Sequence, residues 1–201
     1  YSKGNFDLEI KFDFGWKEVV GNAYRTDYDL KNHMKHSGED LTVTLDDGTK
    51  IVPHVVEPSF GVERTLYAIL LYSLKEDKER GWDWLALPPK LAPFVAGVFP
   101  LVKKDKLPEK AKEVFDMLKK CYDVFYDEKG SIGKRYARAD EIGTPVCITI
   151  DYQTLEDDTV TVRDRNTTKQ IRIKIKDLLS FLWEILEGKG FEKLTKFQIK
   201  S

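Results

Sequence analysis

The stretch Glu57-Pro-Ser-Phe-Gly-Val-Glu-Arg64 separates two apolar segments and decides how this part of the chain is interpreted. The preceding run, Ile51 to Val56, is typical of a buried strand. The following segment, Thr65 to Leu74, has the apolar spacing of a mostly buried helix. The sequence therefore predicts a strand-to-helix junction that carries several polar groups.

This junction combines a carboxylate, a hydroxyl and a guanidinium, from Glu57, Ser59 and Arg64. Pro58 and Gly61 favour a turn there and would let a ligand approach the backbone. Arg64 is expected in the first helical turn, where free backbone N–H groups and the helix dipole attract anions. The pattern predicts a site for a polyphosphate.

Upstream of the junction, the sequence predicts antiparallel strands. Phe6 to Phe14 alternates apolar and charged residues, as a half-buried strand does, and Trp16 to Val20 follows as the next strand. Asp27 to Lys35 has the pattern of a short helix, closed by Gly38. Asp46-Asp-Gly48 is a hairpin turn signal between two short strands.

Downstream, strands alternate with helices, which favours an open mixed sheet covered by helices. The predicted elements are strand 94–102, helix 108–121, strand 122–126, helix 131–142, strand 146–151, hairpin strands 159–162 and 171–175, and helix 176–186. The fold class is therefore α/β, with an α+β first part. The charged segment Lys75 to Gly81 marks the expected boundary, which gives a first domain at 1–80, a linker at 81–92 and a second domain at 93–201.

Composition excludes some classes of protein. No run of eighteen apolar residues could span a membrane, and the first residues resemble neither a signal nor a transit peptide but the start of a cut fragment. Lys and Arg total 33 against 34 Asp and Glu, so no global basic field indicates nucleic-acid binding. Cys121 and Cys147 lie far apart in apolar contexts, as reduced thiols of a cytoplasmic protein would.

Several segments also resemble one family, in the expected order. Residues Glu57 to Arg64 resemble motif 3 of the class II aminoacyl-tRNA synthetases, in the form used by glycyl-tRNA synthetases of the dimeric, archaeal and eukaryotic type. Gly15 to Leu30 is similar to the segment that carries part of their glycine pocket. Leu91 to Val95, Gly130 to Pro145 and Thr159 to Arg165 are similar to their anticodon-binding domain.

The resemblance implies activation of glycine with ATP and Mg²⁺, followed by transfer to glycine tRNA. Arg64 would be the catalytic residue, contacting ATP and stabilising the leaving pyrophosphate. Glu18 and Ser59 would bind the ammonium of glycine, since a carboxylate suits an ammonium. Glu57 and Gly61 would contact ATP. No metal site made of protein ligands is expected, because Mg²⁺ would arrive with ATP.

The resemblance also implies an anticodon-reading surface in the second domain. Its candidates are charged residues near two predicted loops, accompanied by Tyr136 and Tyr152. They are Lys134, Arg135, Arg138, Asp140, Glu141, Arg163 and Arg165. Single-stranded bases are read by stacking on aromatic rings and by hydrogen bonds to their edges. The alternative for this set is a solvated charged helix face.

Other expectations stay open at the level of the sequence. Nothing resembles class II motifs 1 and 2, so the isolated chain is expected to be inactive, although the full enzyme would be a homodimer. A non-catalytic nucleic-acid-binding module, like the accessory subunit of the mitochondrial DNA polymerase, is the alternative function. Arg25 and Asp27 would support the site, while His33 and His36 share a helix face without a third metal ligand.

Overall fold

The computed structural model describes residues 3–199 and divides the chain into two compact units, Tyr1–Leu71 and Tyr72–Ser201. The elements of the first unit follow in chain order. They are β1 (Gly4–Phe12), β2 (Gly15–Thr26), α1 (Tyr28–Ser37), β3 (Val43–Thr44), β4 (Lys50–Ile51), β5 (Val55–Phe60) and α2 (Val62–Ser73), which crosses the division. β3 and β4 form the predicted hairpin, and Gly38 ends α1 in the left-handed conformation with φ 79°.

The sheet of the first unit is antiparallel, with strand order β1-β2-β5. β5 contains Pro58, whose missing N–H is tolerated because β5 is an edge strand. The predicted junction is therefore shorter than the sequence indicated. Glu57 to Phe60 belong to the strand, and Gly61 alone separates it from α2.

A β-bulge in β2 changes which side chains share a face. Leu8 pairs with Val20 and Glu9 pairs with Glu18, so Val19 is an extra residue without a partner on β1. Because side chains alternate along a strand, this extra residue brings Glu18 and Gly21 to the same face. Without the bulge, a spacing of three would place them on opposite faces.

The first unit buries few side chains. Its core consists of Phe12, Val19 and Ala68. The prediction of a mostly buried helix at Thr65 to Leu74 is wrong for this chain, since Leu66 is 55% exposed and only Ala68 and Ser73 of that segment are buried. The prediction of a buried strand at Ile51 to Val56 is also wrong. In both segments, the apolar spacing predicted a buried face, but the residues that the structure describes do not pack against most of it.

The second unit alternates strands and helices. Its elements are β6 (Leu74–Lys75), β7 (Trp84–Leu85), β8 (Ala96–Pro100), α3 (Leu107–Leu118), β9 (Val124–Tyr126), α4 (Ile132–Glu141), β10 (Val146–Ile150), α5 (Tyr152–Asp157), β11 (Thr159–Asp164), β12 (Gln170–Lys174) and α6 (Leu178–Leu186). Three 3₁₀ segments occur at Pro89–Leu91, Ile175–Asp177 and Phe191–Phe197. The predicted α/β fold class is confirmed.

The five-stranded sheet of this unit is mixed, with order β12-β11-β10-β8-β9. β8 is parallel to both β9 and β10, whereas β10, β11 and β12 pair antiparallel. Val98 and Ile148 pack with α3 in the main core, and Phe99 and Cys147 pack with Ala139 of α4. The alternation places α3 and α4 on opposite faces of the sheet.

The predicted linker 81–92 differs from what the structure contains. The units divide between Leu71 and Tyr72, and the segment after that division is ordered within the second unit. β6 pairs with β7, and the N–H of Ala86 donates to the carbonyl of Ser73 at 2.7 Å. This pairing and α5 were not predicted, because two-residue strands and a six-residue helix give almost no periodic signal. No helix within residues 3–199 is long and apolar enough to cross a membrane.

Candidate catalytic face and nucleic-acid surface

One face of the first sheet carries the polar residues of the predicted glycine site. Gly21 pairs directly with Ser59, so both point to the same side of the sheet, and the bulge adds Glu18 to that side. A Cβ atom placed on Gly21 would lie 2.8 Å from Oε1 of Glu18 and 3.7 Å from Oδ1 of Asp7. The carboxylate of Glu18 therefore occupies the space that the missing side chain of Gly21 leaves open.

Arg64 lies near the start of the next element, α2, beside this face. It lies in the first turn of α2, as predicted, and its Nη1 donates to the carbonyl oxygen of Glu18. The N–H of Gly61 donates to the carbonyl of Val19 at 3.0 Å. These two bonds tie the start of α2 to the bulge. The guanidinium of Arg64 is thus held next to Glu18 while its side chain stays exposed.

Glu57 is engaged by an arginine of the neighbouring strand. Arg25 Nε lies 3.1 Å from Oε2 of Glu57, and Arg25 Nη2 donates to Oδ1 of Asp29 at 2.8 Å. The hydrogen bond from Arg25 holds the pKa of Asp29 below its usual value. Asp27 instead pairs with Lys31 at 2.6 Å, one turn along α1. Arg25 is therefore the supporting residue that contacts the predicted ATP-binding carboxylate, and Asp27 is not.

Four of the predicted anticodon residues lie inside the second unit. Arg135, Asp140, Arg163 and Arg165 are each at most 3% exposed, so the prediction that they contact RNA is wrong. Arg163 donates to both oxygens of Asp140 at 3.0 Å. Buried charges are stable only when they are paired and hydrogen-bonded. These side chains are paired inside the unit and are therefore inaccessible to RNA.

The two remaining arginines of this set donate to backbone carbonyls. Arg165 reaches Gly143 at 2.5 Å and Leu87 at 2.8 Å. Arg135 reaches Pro100 at 2.5 Å and Leu101 at 3.2 Å. Burial lowers the pKa of both guanidinium groups. Both side chains therefore fix the backbone of the second unit.

The other predicted candidates, Lys134, Arg138 and Glu141, are exposed on α4. Arg138 pairs with Asp127 at 2.5 Å and donates to the carbonyl of Lys129 at 2.7 Å, so it fixes the loop between β9 and α4. Lys134 lies in the first turn of α4, where Ser131 accepts from its N–H at 3.4 Å. Lys134 therefore lies at the start of α4, and Arg138 is bonded to the loop before it.

The carboxyl ends of β8, β9 and β10 meet at one edge of the sheet. The chain passes from β8 to β9 on one side and then to β10 on the other, so the strand order reverses at β8. Ligands of open α/β sheets bind outside the carboxyl ends of the strands at such a reversal. The exposed cationic and aromatic side chains here form what we call the carboxyl-edge surface: Lys103, Lys104, Lys106, Lys129, Lys134, Arg138 and Tyr152.

The carboxyl-edge surface includes residues that the sequence did not single out. Lys103, Lys104 and Lys106 follow β8, and Lys129 follows β9. The feature of the sequence that could have identified them is that these lysines follow strands of the predicted mixed sheet. Tyr152, named in the sequence, exposes 47% of its surface, while its hydroxyl donates to Asp105 at 2.8 Å. The ring is therefore positioned and accessible.

Two carboxyls at this edge have lowered pKa values. Burial opposes ionisation of Asp127, but hydrogen bonds from Arg138 and from the N–H of Lys129 outweigh it, so its pKa falls. Burial likewise opposes ionisation of Asp151, and Arg172 together with the N–H of Thr154 outweighs that effect. Both carboxylates therefore neutralise arginines within the fold.

Among residues 3–199, no group of three His, Cys, Asp or Glu side chains is placed to hold a metal ion. Both cysteines are free, with Cys121 exposed and Cys147 buried. Burial raises the pKa of the Cys147 thiol, which keeps it protonated.

The sequence is similar to one family model and to several curated proteins. Residues 96–185 match the family model described as anticodon binding domain. A glycine–tRNA ligase of Clostridium tetani is 53% identical over 192 residues, which are 93% of this chain and 41% of the relative. A glycine–tRNA ligase of Clostridium acetobutylicum is 51% identical over 189 residues, covering 92% of this chain and 40% of the relative.

Over most of its length, the chain is similar in sequence to these glycine–tRNA ligases. A third relative, the glycine–tRNA ligase of Caldanaerobacter subterraneus subsp. tengcongensis, is 47% identical over 190 residues, or 93% of this chain and 41% of the relative. All three relatives are bacterial, so the resemblance is not confined to the archaeal and eukaryotic ligases. The chain spans about two fifths of the length of these ligases.

The matched family model includes the whole carboxyl-edge surface. Residues 96–185 run from the start of β8 to the end of α6 and contain all seven of its residues. They also contain the buried set Arg135, Asp140, Arg163 and Arg165. The region that matches this family model therefore contains both a charged core and a charged surface, and only the surface is accessible to a binding partner.

Proposed function

We propose that this chain is part of a glycine–tRNA ligase, which activates glycine with ATP and transfers it to glycine tRNA. The observation that carries the proposal is the shared face of Glu18, Gly21 and Ser59, with Arg64 held beside it, in a chain related to such ligases. The first unit would contribute to the catalytic site. The second unit would bind the anticodon.

Recognition of glycine needs a cation site and no room for a side chain. The carboxylate of Glu18 and the hydroxyl of Ser59 would bind the ammonium group of glycine. The directly paired residues Gly21 and Ser59 leave little side-chain bulk on this face of the sheet. A tightly closed pocket would reject alanine, because forcing one extra methyl into packed atoms costs roughly 1–3 kcal/mol.

Activation of glycine places negative charge on the departing pyrophosphate. Arg64 would stabilise that charge from the start of α2, where free N–H groups already favour an anion. Glu57, held by Arg25, and the backbone at Gly61 would line the ATP site. Mg²⁺ would arrive with ATP and neutralise phosphate charge. The residues of this chain would orient both substrates for attack.

The exposed apolar side chains of the first unit support the proposal that further parts of a longer protein cover them. On the sheet face opposite Glu18, Phe6 is 78% exposed and Phe60 is 65% exposed, and Val62 at the start of α2 is 72% exposed. Contiguous exposed apolar surface of this kind usually marks an interface. The complete ligase would be a homodimer, and the isolated chain would not form glycyl-adenylate.

The carboxyl-edge surface would bind the anticodon. Its lysines would contact phosphates, and the ring of Tyr152 offers a stacking platform for an unpaired base. Lys134 and Arg138 would contribute further positive charge at the same edge of the sheet. The proposal replaces the buried arginines of the sequence prediction with accessible cations.

The test is binding of the 201-residue chain to a fluorescent glycine-tRNA anticodon stem-loop, measured by anisotropy. A second stem-loop carries changed second and third anticodon bases. We expect at least about tenfold weaker binding of the changed RNA, or about 1.4 kcal/mol. Equal binding of both, lost as salt rises, would contradict anticodon reading and favour a non-catalytic nucleic-acid-binding module.

A second assay concerns the catalytic unit. Glycine-dependent ATP–pyrophosphate exchange is measured for the isolated chain and for the longer protein that contains it. We expect exchange only for the longer protein, and Arg64→Ala should lower its rate at least about 100-fold. Exchange by the isolated chain would contradict the need for further catalytic residues.

A further inference from the structure

The segment that follows α2 closes one side of the second unit through a single buried arginine. We define residues 72–87, which contain β6, β7 and the loop between them, as the strap. The loop is exposed from Glu76 to Glu79, but Arg80 turns inward and its side chain is 6% exposed. β7 then lies against α4.

Arg80 meets the carboxylate that α4 buries. Its Nη2 donates to Oδ2 of Asp140 and to the carbonyl of Arg165, both at 2.5 Å. Nε1 of Trp82 donates to the same Oδ2 at 3.0 Å. The guanidinium also stacks 4.0 Å above the ring of Trp84. The strap thus places two donors and one aromatic platform around one fully buried carboxylate.

The charge balance indicates that Arg80 does more than neutralise Asp140. Arg163 already binds both carboxylate oxygens at 3.0 Å and is 3% exposed. One guanidinium is enough to neutralise one carboxylate, and a second buried cation adds a desolvation cost. We therefore attribute the role of Arg80 to its contacts, which connect the strap to α4 and to the end of β11.

The same helix extends to the carboxyl-edge surface. One turn from Asp140, Arg135 donates to the carbonyls of Pro100 and Leu101 at the end of β8. Arg138 holds the loop at Asp127 and Lys129. α4 is thus anchored to the loops of that surface near its start and to the strap near its end. A shift at Asp140 would be transmitted along this rigid helix.

We propose that Arg80 is a positioning residue for RNA binding: it holds α4 through Asp140 so that the carboxyl-edge surface keeps its arrangement. This inference rests on the proposed anticodon function. The inference assigns the strap, most of which was predicted from the sequence to be a domain boundary and linker, to the RNA-binding unit. Trp82 and Trp84 complete the contact around the same guanidinium.

The test uses the full chain with Arg80→Gln, Arg80→Lys and the control Leu194→Ala. Leu194 is fully buried on the 3₁₀ segment that packs with β12 and α6, so its loss lowers stability without changing Asp140. Binding of the glycine anticodon stem-loop and hydrogen exchange of α4 amides are both measured below the onset of unfolding.

We expect Arg80→Gln to weaken RNA binding about tenfold and to speed exchange in α4 more than in α3. Arg80→Lys, which keeps a charge and one donor for Asp140, should recover part of the affinity. Leu194→Ala should bind like the unsubstituted chain. Unchanged RNA affinity in Arg80→Gln, or an equal loss in Leu194→Ala, would overturn the inference.

Hydrogen exchange separates this inference from the proposed function. If the unsubstituted chain does not distinguish the changed anticodon, the proposed function fails at that step. Faster exchange confined to α4 in Arg80→Gln would still support positioning of the helix by Arg80. Unchanged α4 exchange would overturn that positioning whatever the RNA result.

Discussion

Replacing Asp140 by asparagine removes the one negative charge that faces two buried guanidinium groups. Asp140 is fully buried, while the side chains of Arg80 and Arg163 are 6% and 4% exposed. The asparagine amide would also direct N–H donors at the N–H donors of these arginines. Both cations would stay buried without compensation.

The expected cost follows from this burial. Removing one partner of a buried ion pair destabilises by about 3–5 kcal/mol, because the remaining charge is uncompensated. A domain is stable by about 5–15 kcal/mol, so Asp140→Asn should leave the second unit marginal. The corresponding fall in its melting temperature is roughly 10–20 °C for a unit of this size.

Urea unfolding followed by tryptophan fluorescence measures the change, since Trp82 and Trp84 both lie in the affected network. The matched control is Asp116→Asn, which removes an exposed ion pair with Lys119 at 2.6 Å. That control should cost at most about 0.5 kcal/mol. A loss below about 1 kcal/mol for Asp140→Asn would refute the reasoning, because the arginines would then be solvated or paired elsewhere.

Three further predictions concern the second unit. Gly97→Ala should cost about 1–3 kcal/mol in urea unfolding, since its Cβ would lie 2.5 Å from Cζ of buried Phe99; an unchanged midpoint would contradict this. Gly133→Ala, with nothing within 4 Å of the new methyl in α4, should instead stabilise by about 0.5–1 kcal/mol, and a loss would contradict the open geometry. The pKa of Asp151 is lowered in the folded state, so the ionised carboxylate stabilises the fold above about pH 4 and this stabilisation is lost as pH falls. Asp151→Asn should therefore make the free energy of unfolding fall less steeply with decreasing pH below about pH 4. An equally steep fall in the variant would refute the assignment.

Much of the second unit could be predicted because its apolar runs are long and bounded. The strand at Ala96–Pro100 falls inside its predicted range, and the helix at Leu107–Leu118 begins one residue before its predicted range. The helix predicted at 131–142 is also present, with Ser131 as its N-cap. The first strands and the position of Arg64 in a helical turn were also predicted. Local pattern and turn chemistry are sufficient for such features.

The buried charges could not be predicted from pattern. A window around Arg135 and Asp140 is strongly charged, which is typical of a solvated face. Their burial depends on partners such as Arg80 and Arg163, which are distant in the sequence and near in the fold. The exposure of α2 is the opposite error, because a buried helix was predicted and an exposed one is found. Apolar spacing indicates which face of a helix is buried, but it does not indicate which part of the protein packs against that face.

The bulge at Val19 makes the proposed glycine site depend on the backbone geometry of β2 as well as on its residues. If the bulge were lost at the present length of β2, regular alternation over the three-residue spacing would send Glu18 to the face opposite Ser59. Substitution of Val19 by another apolar residue would leave the placement of Glu18 intact. Among proteins of this kind, a spacing of three between the carboxylate and the paired glycine should therefore occur with a bulge, and a spacing of two should occur with a regular strand.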